Sequence, residues 1–325
     1  MQSFSTSFDT MVEQYTTLLQ TLCDISESYY YLGRLDDAIK LLKIGEQLLE
    51  AKEVTRHDQL KLLLQSGKIL ISSIFYRNRD AEEAFATVTR AKQLAAFIVD
   101  EHGEADALDL LGFAYYYKQL MTKEGESSTP LAYCQQALER REVLGDQRGM
   151  SESSFHIGLI YENGDQSDLD QARIYYTKAY QIAREHGYKL EQSYAVRHLG
   201  GLLDAMQGDL EQARQCFEES LVLRQEIGFK IALPFSHLAV GEICTKQNEL
   251  TVAATHYQQA EVLARELEQP VACILSQLSL GELYLAQQQC SQALECIEQA
   301  YRVAKEYHLT NWMSEATARR EAISN

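Results

Sequence analysis

Apolar and polar positions follow a helical period along most of this chain, and in its second half the pattern repeats itself. Alanines recur 41, 40 and 40 residues apart, at Ala172, Ala213, Ala253 and Ala293. Each is followed four residues later by a bulky side chain, namely Tyr176, Phe217, Tyr257 or Ile297, and three residues after that by a small one, namely Ala179, Ser220, Ala260 or Ala300. Residues three and four apart share one face of a helix, so the pattern predicts an amphipathic helix that packs closely against a neighbour.

A glycine precedes each of these alanines, at Gly158, Gly201, Gly241 and Gly281. The last three lie 12 residues before their alanine, and Gly158 lies 14 before. Glycine inside a helix costs about 1 kcal/mol relative to alanine, so its recurrence indicates a place where a second helix comes close. The pattern therefore predicts two helices in each repeat of about forty residues.

The first half of the chain shows the same repeat pattern, but the residue types at the signature positions vary more. Ser26 and Ser72 stand 12 residues before Ala38 and Ala84, and Gly112 opens a third repeat. We therefore expect seven helix pairs in one continuous domain over residues 1–325, with degenerate repeats at about 10–145 and clear repeats at about 150–308. A last helix at about 310–323 would cap the array, with Trp312 and Met313 on its inner face, because repeat arrays need a polar-backed end. Helices are expected to end at Gly103, Gly145, Gly187 and Gly228, since glycine adopts the left-handed cap without strain.

Composition and charge narrow the range of partners. The chain carries 47 acidic against 30 basic residues, a formal charge of −17. This average field would repel a phosphate backbone, and no basic cluster is visible, so nucleic acid is not expected as a partner. No signal peptide and no apolar run of about 18 residues is present, so we expect no membrane contact. The seven scattered cysteines favour reduced thiols and a cytoplasmic location.

Motifs for chemistry are missing from the sequence. The eight histidines show no metal-ligand spacing, and there is no phosphate-binding glycine loop and no nucleophile elbow. We therefore expect neither an enzyme nor a cofactor or metal site.

The small–large–small signature, the mid-helix glycine and the segment Gly208-Asp209 before Leu210-Glu211-Gln212-Ala213 resemble the tetratricopeptide repeat, in its longer variety of about forty residues. The resemblance implies an all-α, right-handed superhelical solenoid of antiparallel helix pairs. It also implies that the first helix of each pair lines a concave groove, commonly occupied by a peptide, a partner helix or the protein's own tail. Paired Lys and Asn on first helices, which hold chaperone C termini in one subtype, are absent from segments 235–246 and 275–287.

If that geometry holds, residues three before, one after and four after the small residue of each first helix face the groove. The candidate binding residues, with Phe235 added because it lies one turn earlier on the same face, are Tyr30, Tyr76, Phe113, Tyr116, Phe155, Leu159, His198, Phe235, Glu242 and Glu282. Tyrosine suits a binding surface because it combines apolar area with a hydroxyl group, and the glutamates could receive basic residues of a partner. The alternatives are that the rings pack between helices and that the glutamates are solvated.

The favoured function is a non-enzymatic scaffold or adaptor that binds a protein or peptide, with a ligand that carries basic residues as one option. A second hypothesis is a sensor that responds to a ligand or peptide and acts on a separate effector protein. A third is a bare scaffold that uses its convex or end surfaces.

Overall fold

The computed structural model describes residues 7–122, 124–165 and 167–324. Within these residues it contains fifteen α-helices, one 3-10 turn at Lys230–Ala232, and no strand. The α-helices, in chain order, are α1 (Phe8–Tyr31), α2 (Leu35–Glu46), α3 (Arg56–Arg77), α4 (Glu82–Ile98), α5 (Glu101–Thr122), α6 (Ser128–Leu144), α7 (Gln147–Asn163), α8 (Leu169–His186), α9 (Lys189–Gln207), α10 (Leu210–Glu226), α11 (Leu233–Lys246), α12 (Leu250–Glu266), α13 (Pro270–Ala286), α14 (Cys290–Glu306) and α15 (Thr310–Ser324).

The described helices confirm the all-α fold and the seven pairs with one final helix. Odd-numbered helices from α1 to α13 are the first helices of the pairs, and even-numbered helices are the second helices. The first helices α5, α11 and α13 each contact the second helix of their own pair, as in α5 with α6, and also that of the preceding pair, as in α5 with α4. The first helices α5 and α7, and likewise α11 and α13, contact each other directly.

The small–large–small signature forms the contact surface inside the pairs, as predicted. In α8 and α12, both alanines of the signature are fully buried, and the large residues Tyr176 and Tyr257 are 0% and 3% exposed. In α14, Ile297 is buried in the same way at 2%. Small groups let the two backbones approach, and the large residue fills the remaining space.

The recurring glycines lie where the large residue of the partner helix crosses. A Cβ atom on Gly158 would lie 2.5 Å from the ring of Tyr176, and one on Gly241 would lie 2.5 Å from the ring of Tyr257. We call the residue of a first helix that meets this large residue the packing glycine. The sequence-based choice of Gly201 in α9 is wrong, because a Cβ there would meet nothing within 4 Å.

The packing glycine of α9 is its neighbour Gly200, where a Cβ would lie 2.9 Å from Cys216 and 3.1 Å from the ring of Phe217. A second correction concerns α3. There the large residue Val88 meets Gly67, with 2.5 Å to an added Cβ, five residues before the expected Ser72. Each of these helices contains two small residues that could fill the contact position, Gly200 and Gly201 in α9 and Gly67 and Ser72 in α3. The spacing to the following alanine selected the wrong one in both helices.

Three of the four predicted glycine helix ends are confirmed by left-handed backbone angles. Gly145, Gly187 and Gly228 have φ of 70°, 72° and 69°. The prediction for Gly103 is wrong, because α4 already ends at Val99, which adopts φ 59° and ψ 43°. Gly103 lies in the first turn of α5, where its amide donates to the Asp100 carboxylate at 2.8 Å.

The chain divides into two compact units. The first unit comprises the chain up to Phe75 together with Arg79–Ile182, and the second comprises Tyr76–Asn78 and the chain from Ala183 onward. The single continuous domain stays a prediction. No described helix combines the length and the apolar character needed to cross a membrane.

Candidate functional site

The ten predicted binding residues differ sharply in exposure. Five of them are buried, with exposed fractions between 5% and 7%: Tyr30, Tyr76, Tyr116, Phe155 and Leu159. Three are half-buried, namely Phe113, His198 and Phe235. The two glutamates are exposed, with 66% of the side chain of Glu242 and 62% of that of Glu282 accessible. On the face that the sequence suggested, the aromatic and leucine side chains are therefore buried or half-buried, and the two glutamate side chains are exposed to solvent.

The two tyrosine runs behave as helical periodicity requires. In each run the central ring, Tyr30 or Tyr116, is buried, and the rings on either side are half-buried. Three consecutive helical residues span about 200° of the helix surface, so the three cannot all face the core. The buried rings pack between helices, which was one of the two interpretations of the sequence.

With Gly67 in place of Ser72 as the reference residue of α3, different residues of this helix take the three positions predicted to face the groove. Relative to Gly67, the positions three before, one after and four after are Leu64, Lys68 and Ile71. Tyr76 thus lies nine residues after the packing glycine, outside the equivalent positions. Lys68 takes the position directly after the glycine.

The same correction in α9 moves each position by one residue. Relative to Gly200, the corresponding residues are Arg197, Gly201 and Asp204. His198 therefore lies two residues before the packing glycine instead of three. Sequence reasoning missed Lys68 and Asp204, although a glycine inside each helix could have shown the correct alignment.

In the first unit, Lys68 forms an ion pair on this face. Its Nζ lies 3.0 Å from Oε1 of Glu27, which is one residue after Ser26 in α1. Gln65 also donates to Glu27, at 2.8 Å, and Nζ of Lys68 lies 5.6 Å from the ring centre of Tyr30. Burial alone would lower the pKa of Lys68, but the neighbouring Glu27 carboxylate outweighs burial and raises it. The pair is about one-third exposed and links α1 to α3.

A buried polar network in the first unit joins α5, α6 and α7. Arg141, only 2% exposed, donates to the hydroxyl of Ser153 at 2.7 Å and to Asp106 at 2.8 Å. Ser153 in turn donates to Oδ1 of Asp109 at 2.7 Å, and Nδ1 of His156 lies 2.7 Å from Oδ2 of the same carboxylate. Sequence reasoning missed this network because the carboxylates Asp106 and Asp109 lie 35 to 47 residues from the side chains that bond to them, and no local motif marks them.

The electrostatics of the network keep Asp109 ionised. Burial alone would raise the pKa of Asp109, but His156 and Arg141 outweigh burial and hold this pKa well below its usual range. The His156 ring also stacks on Phe113, with ring centres 3.9 Å apart. Phe113, a predicted binding residue, is therefore packed against one member of the charged network.

The same network contains a possible set of metal ligands. One ligand atom each from Asp109, Glu152 and His156 lies within 4.8 Å of the others. However, Arg141 donates to Glu152 at 3.2 Å, and Asp109 and His156 are bonded to each other. The guanidinium group thus already supplies a positive charge to these carboxylates, and a metal ion would have to compete with it.

In the second unit, the exposed glutamates stand directly after the packing glycines of neighbouring first helices. Glu242 follows Gly241 in α11, and Glu282 follows Gly281 in α13. Each has a basic neighbour: Lys246 lies 3.3 Å from Glu242, and Arg319 of α15 bonds to Glu282. These pairs are open to solvent, where an ion pair contributes at most about 1 kcal/mol.

Comparison with known protein families identifies the repeat. A family profile described as "MalT-like TPR region" matches residues 112–323, about two thirds of the chain. This chain belongs to the MalT-like TPR family. The family assignment confirms the tetratricopeptide resemblance and includes all of α6 to α14, the helices that carry the clearest signature. A search of curated proteins finds no match.

Solved structures share the fold of this MalT-like TPR chain at low identity. A Rap protein complexed with competence and sporulation factor has a TM-score of 0.56 and 15% identity, and the match covers 95% of this chain and 98% of that one. BtubC from P. vanneervenii has a TM-score of 0.56 and 17% identity, with coverages of 71% and 93%. A STAND protein with a tetratricopeptide repeat sensor, from Pyrococcus horikoshii, has a TM-score of 0.57 and 13% identity, with coverages of 98% and 53%.

Proposed function

We propose that this MalT-like TPR chain is a non-enzymatic adaptor that binds a peptide or protein segment with basic residues. The proposed site is the first-helix face of the second unit. The observation that carries the proposal is the pair of exposed carboxylates, Glu242 and Glu282, at equivalent positions of two first helices in contact. Two of the structurally similar proteins are complexes with a bound factor or peptide: the Rap protein above and a Rap conjugation gene regulator with the Phr* peptide, which has a TM-score of 0.57 and 15% identity.

The spacing of the two carboxylates sets the ligand's pattern. Packed helix axes lie about 8–10 Å apart. An extended peptide advances about 3.3 Å per residue, so two basic side chains roughly three residues apart match Glu242 and Glu282. Phe235 and Leu275 are half-buried and pack against one core cluster, which contains Val240 and Tyr257. Their exposed parts can contact apolar side chains of the ligand. We propose a cytoplasmic setting, in line with the free cysteine thiols.

A selection of peptides from a random display library, followed by fluorescence anisotropy, tests this function. We expect selected peptides to combine apolar residues with two Lys or Arg residues at the stated spacing. The double variant Glu242→Gln/Glu282→Gln should bind them about 5- to 30-fold more weakly, since each exposed ion pair contributes up to about 1 kcal/mol. The matched control Glu211→Gln/Glu295→Gln changes two exposed glutamates of second helices and should leave the affinity unchanged.

The outcome that contradicts the proposal is equal affinity for wild type and the first-helix double variant. An equal loss in the control would also contradict it, because general acidity and not this face would then attract the peptide. Added salt should weaken the wild-type complex more than the complex of the first-helix double variant.

The sensor hypothesis is the second candidate. It is supported by the buried network around Arg141, which joins three helices of the first unit and would respond as a whole to a ligand that bonds to Glu152 or His156. The likeness to the apo form of the quorum sensor NprR from B. thuringiensis, with a TM-score of 0.56 and 13% identity, adds to that support. Small-angle scattering with and without a selected peptide separates the two: a sensor changes its radius of gyration, and a rigid adaptor does not.

A further inference from the structure

Two histidines of the second unit face each other where the helices of one pair meet. His237 of α11 is 7% exposed, and His256 of α12 is half-buried. Their Nδ1 atoms lie 3.0 Å apart, and their ring centres lie 5.2 Å apart. Among the described residues, each ring has the other as its only hydrogen-bond partner. The two histidines are 19 residues apart on different helices, so their spacing along the chain does not reveal the pair.

The repeat does not require histidines at this contact. His237 lies four residues before the packing glycine of α11, and His256 lies directly before the large residue of α12. The same two positions hold, in the preceding and the following repeat, Val196 with Cys216 and Gln277 with Cys296. Other side chains therefore fill this space in neighbouring repeats, and the two facing imidazole rings are particular to this pair of helices.

Both rings are neutral at pH 7. Burial, followed by the neighbouring His256, lowers the pKa of His237 to about 4. Burial also lowers the pKa of His256, although the charge of Glu218 in α10 acts in the opposite direction. A neutral imidazole binds a metal ion through the nitrogen that carries no proton. If the ring that donates the shared hydrogen bond moves its proton from Nδ1 to Nε2, both Nδ1 atoms become ligands without a net loss of protons.

The distance between the two nitrogens fits one shared metal ion. Histidine nitrogens bind Zn²⁺ at about 2.0–2.1 Å. Two such nitrogens lie about 3.3 Å apart at a tetrahedral angle, and about 2.9 Å apart at the right angle of square-planar or octahedral coordination. The observed 3.0 Å falls between these values. The rings therefore have to turn toward the ion, but the two helices do not have to separate.

The charged groups near the pair do not oppose a cation. Arg214 of α10 acts on the His256 ring, but two carboxylates compensate its charge. Its guanidinium nitrogens lie 2.8 Å from Glu218 and 2.9 Å from Glu249. One positive and two negative charges give a sum of −1, which favours the approach of a divalent cation.

We infer that His237 and His256 form a binding site for one divalent transition-metal ion of the Zn²⁺ type. The two Nδ1 atoms supply two ligands, and water molecules complete the coordination. Imidazole nitrogens suit Zn²⁺, Ni²⁺ and Cu²⁺, whereas Mg²⁺ and Ca²⁺ bind through oxygen atoms. A bound ion links α11 to α12 and stabilises this helix pair.

Isothermal titration calorimetry of the metal-stripped full chain with zinc chloride tests the site. We expect one Zn²⁺ to bind at micromolar concentrations, and the variant His237→Gln/His256→Gln to bind at least about tenfold more weakly, because it lacks both ligands. The control His57→Gln/His102→Gln changes two exposed histidines and should bind as wild type does. No binding by wild type, unchanged affinity in the first variant, or an equal loss in the control would each overturn the inference.

Copper-catalysed oxidation locates the ion without a variant. Cu²⁺ binds the same nitrogen ligands, and with ascorbate and oxygen it oxidises the side chains that hold it. At an equimolar amount of Cu²⁺, peptide mass spectrometry should find an added oxygen atom on His237 or His256 and much less on His57 and His102. Excess Zn²⁺ should suppress this oxidation. Equal oxidation of the four histidines would overturn the inference.

Discussion

Arg141 of the first unit and Arg224 of the second unit occupy the same place in their repeats, four residues after the final small residue of a second helix. Both are buried, with exposed fractions of 2% and 3%. Each donates through Nη1 to the hydroxyl of a serine twelve residues later, Ser153 or Ser236, at 2.7 Å in both units. The repeat therefore preserves one buried arginine–serine contact between a second helix and the next first helix.

The surroundings of the two arginines differ. Six residues before the packing glycine, the first unit has Asp106, which accepts a hydrogen bond from Arg141 at 2.8 Å. The second unit has Tyr194 at this position, and its ring centre lies 5.2 Å from the guanidinium carbon of Arg224. An ionic partner in one unit is replaced by an aromatic partner in the other, which guanidinium groups also favour. The repeat keeps the position of the cation and varies the group that faces it.

Removing the charge at Arg141 should give the largest effect. Arg141→Met leaves Asp109 buried without its guanidinium neighbour, so we expect a loss of about 3–5 kcal/mol in the free energy of unfolding. Urea denaturation followed by circular dichroism measures it. The double variant Arg141→Met/Asp109→Leu should recover a substantial part of this loss, because it removes the isolated carboxylate. A double variant less stable than Arg141→Met would contradict the account.

The carboxylate of Asp109 should make stability depend on pH. Its pKa is lowered in the folded chain, so its contribution is present above the ordinary carboxyl pKa and is lost as the pH falls toward the folded value. At pH 7, Asp109→Asn should cost about 2–3 kcal/mol. The gap between wild type and variant should narrow steadily below about pH 4. A gap of constant size from pH 7 to pH 3 would show that Asp109 is not held ionised by the network; Asp24→Asn, an exposed site, is the control.

Alanine substitutions of helix glycines should give the smallest effects, with one sign at the packing glycines Gly158 and Gly241 and the opposite sign at Gly201, which is not a packing glycine. Gly158→Ala and Gly241→Ala each force a methyl group against a buried tyrosine ring, which should cost about 1–3 kcal/mol. Gly201→Ala meets no neighbour and should instead stabilise α9 by about 0.5–1 kcal/mol, because alanine is the better helix former. Thermal unfolding of the three variants checks the alignment. Destabilisation by Gly201→Ala would restore Gly201 as the contact point.

The helix pairs could be predicted from the sequence because the clear repeats carry the same small–large–small pattern at the contact between their helices. Ala253, Tyr257 and Ala260 lie on one helix face whatever the rest of the chain does, so their spacing is a local signal. The exact glycine was less predictable. Gly200 and Gly201 are adjacent, and only the position of Phe217 in the folded pair distinguishes them.

The candidate site was only partly predictable. Glu242 and Glu282 could be selected from the sequence because they directly follow Gly241 and Gly281, and their side chains are exposed in the structure. The contacts of Arg141 could not be found, because Asp109 and His156 come from different repeats and nothing local marks them as partners. Burial of Tyr30 and Tyr116 depends on how helices cross, which a face assignment does not specify.

Photo-cross-linking of a selected peptide tests the proposed binding face most directly. A benzophenone amino acid at Lys246, on the first helix α11, should form an adduct with the peptide, and the same group at the exposed Gln258 of the second helix α12 should not. Excess unlabelled peptide should abolish the adduct. Adducts from Gln258 alone, or equally from both positions, would contradict a first-helix binding face.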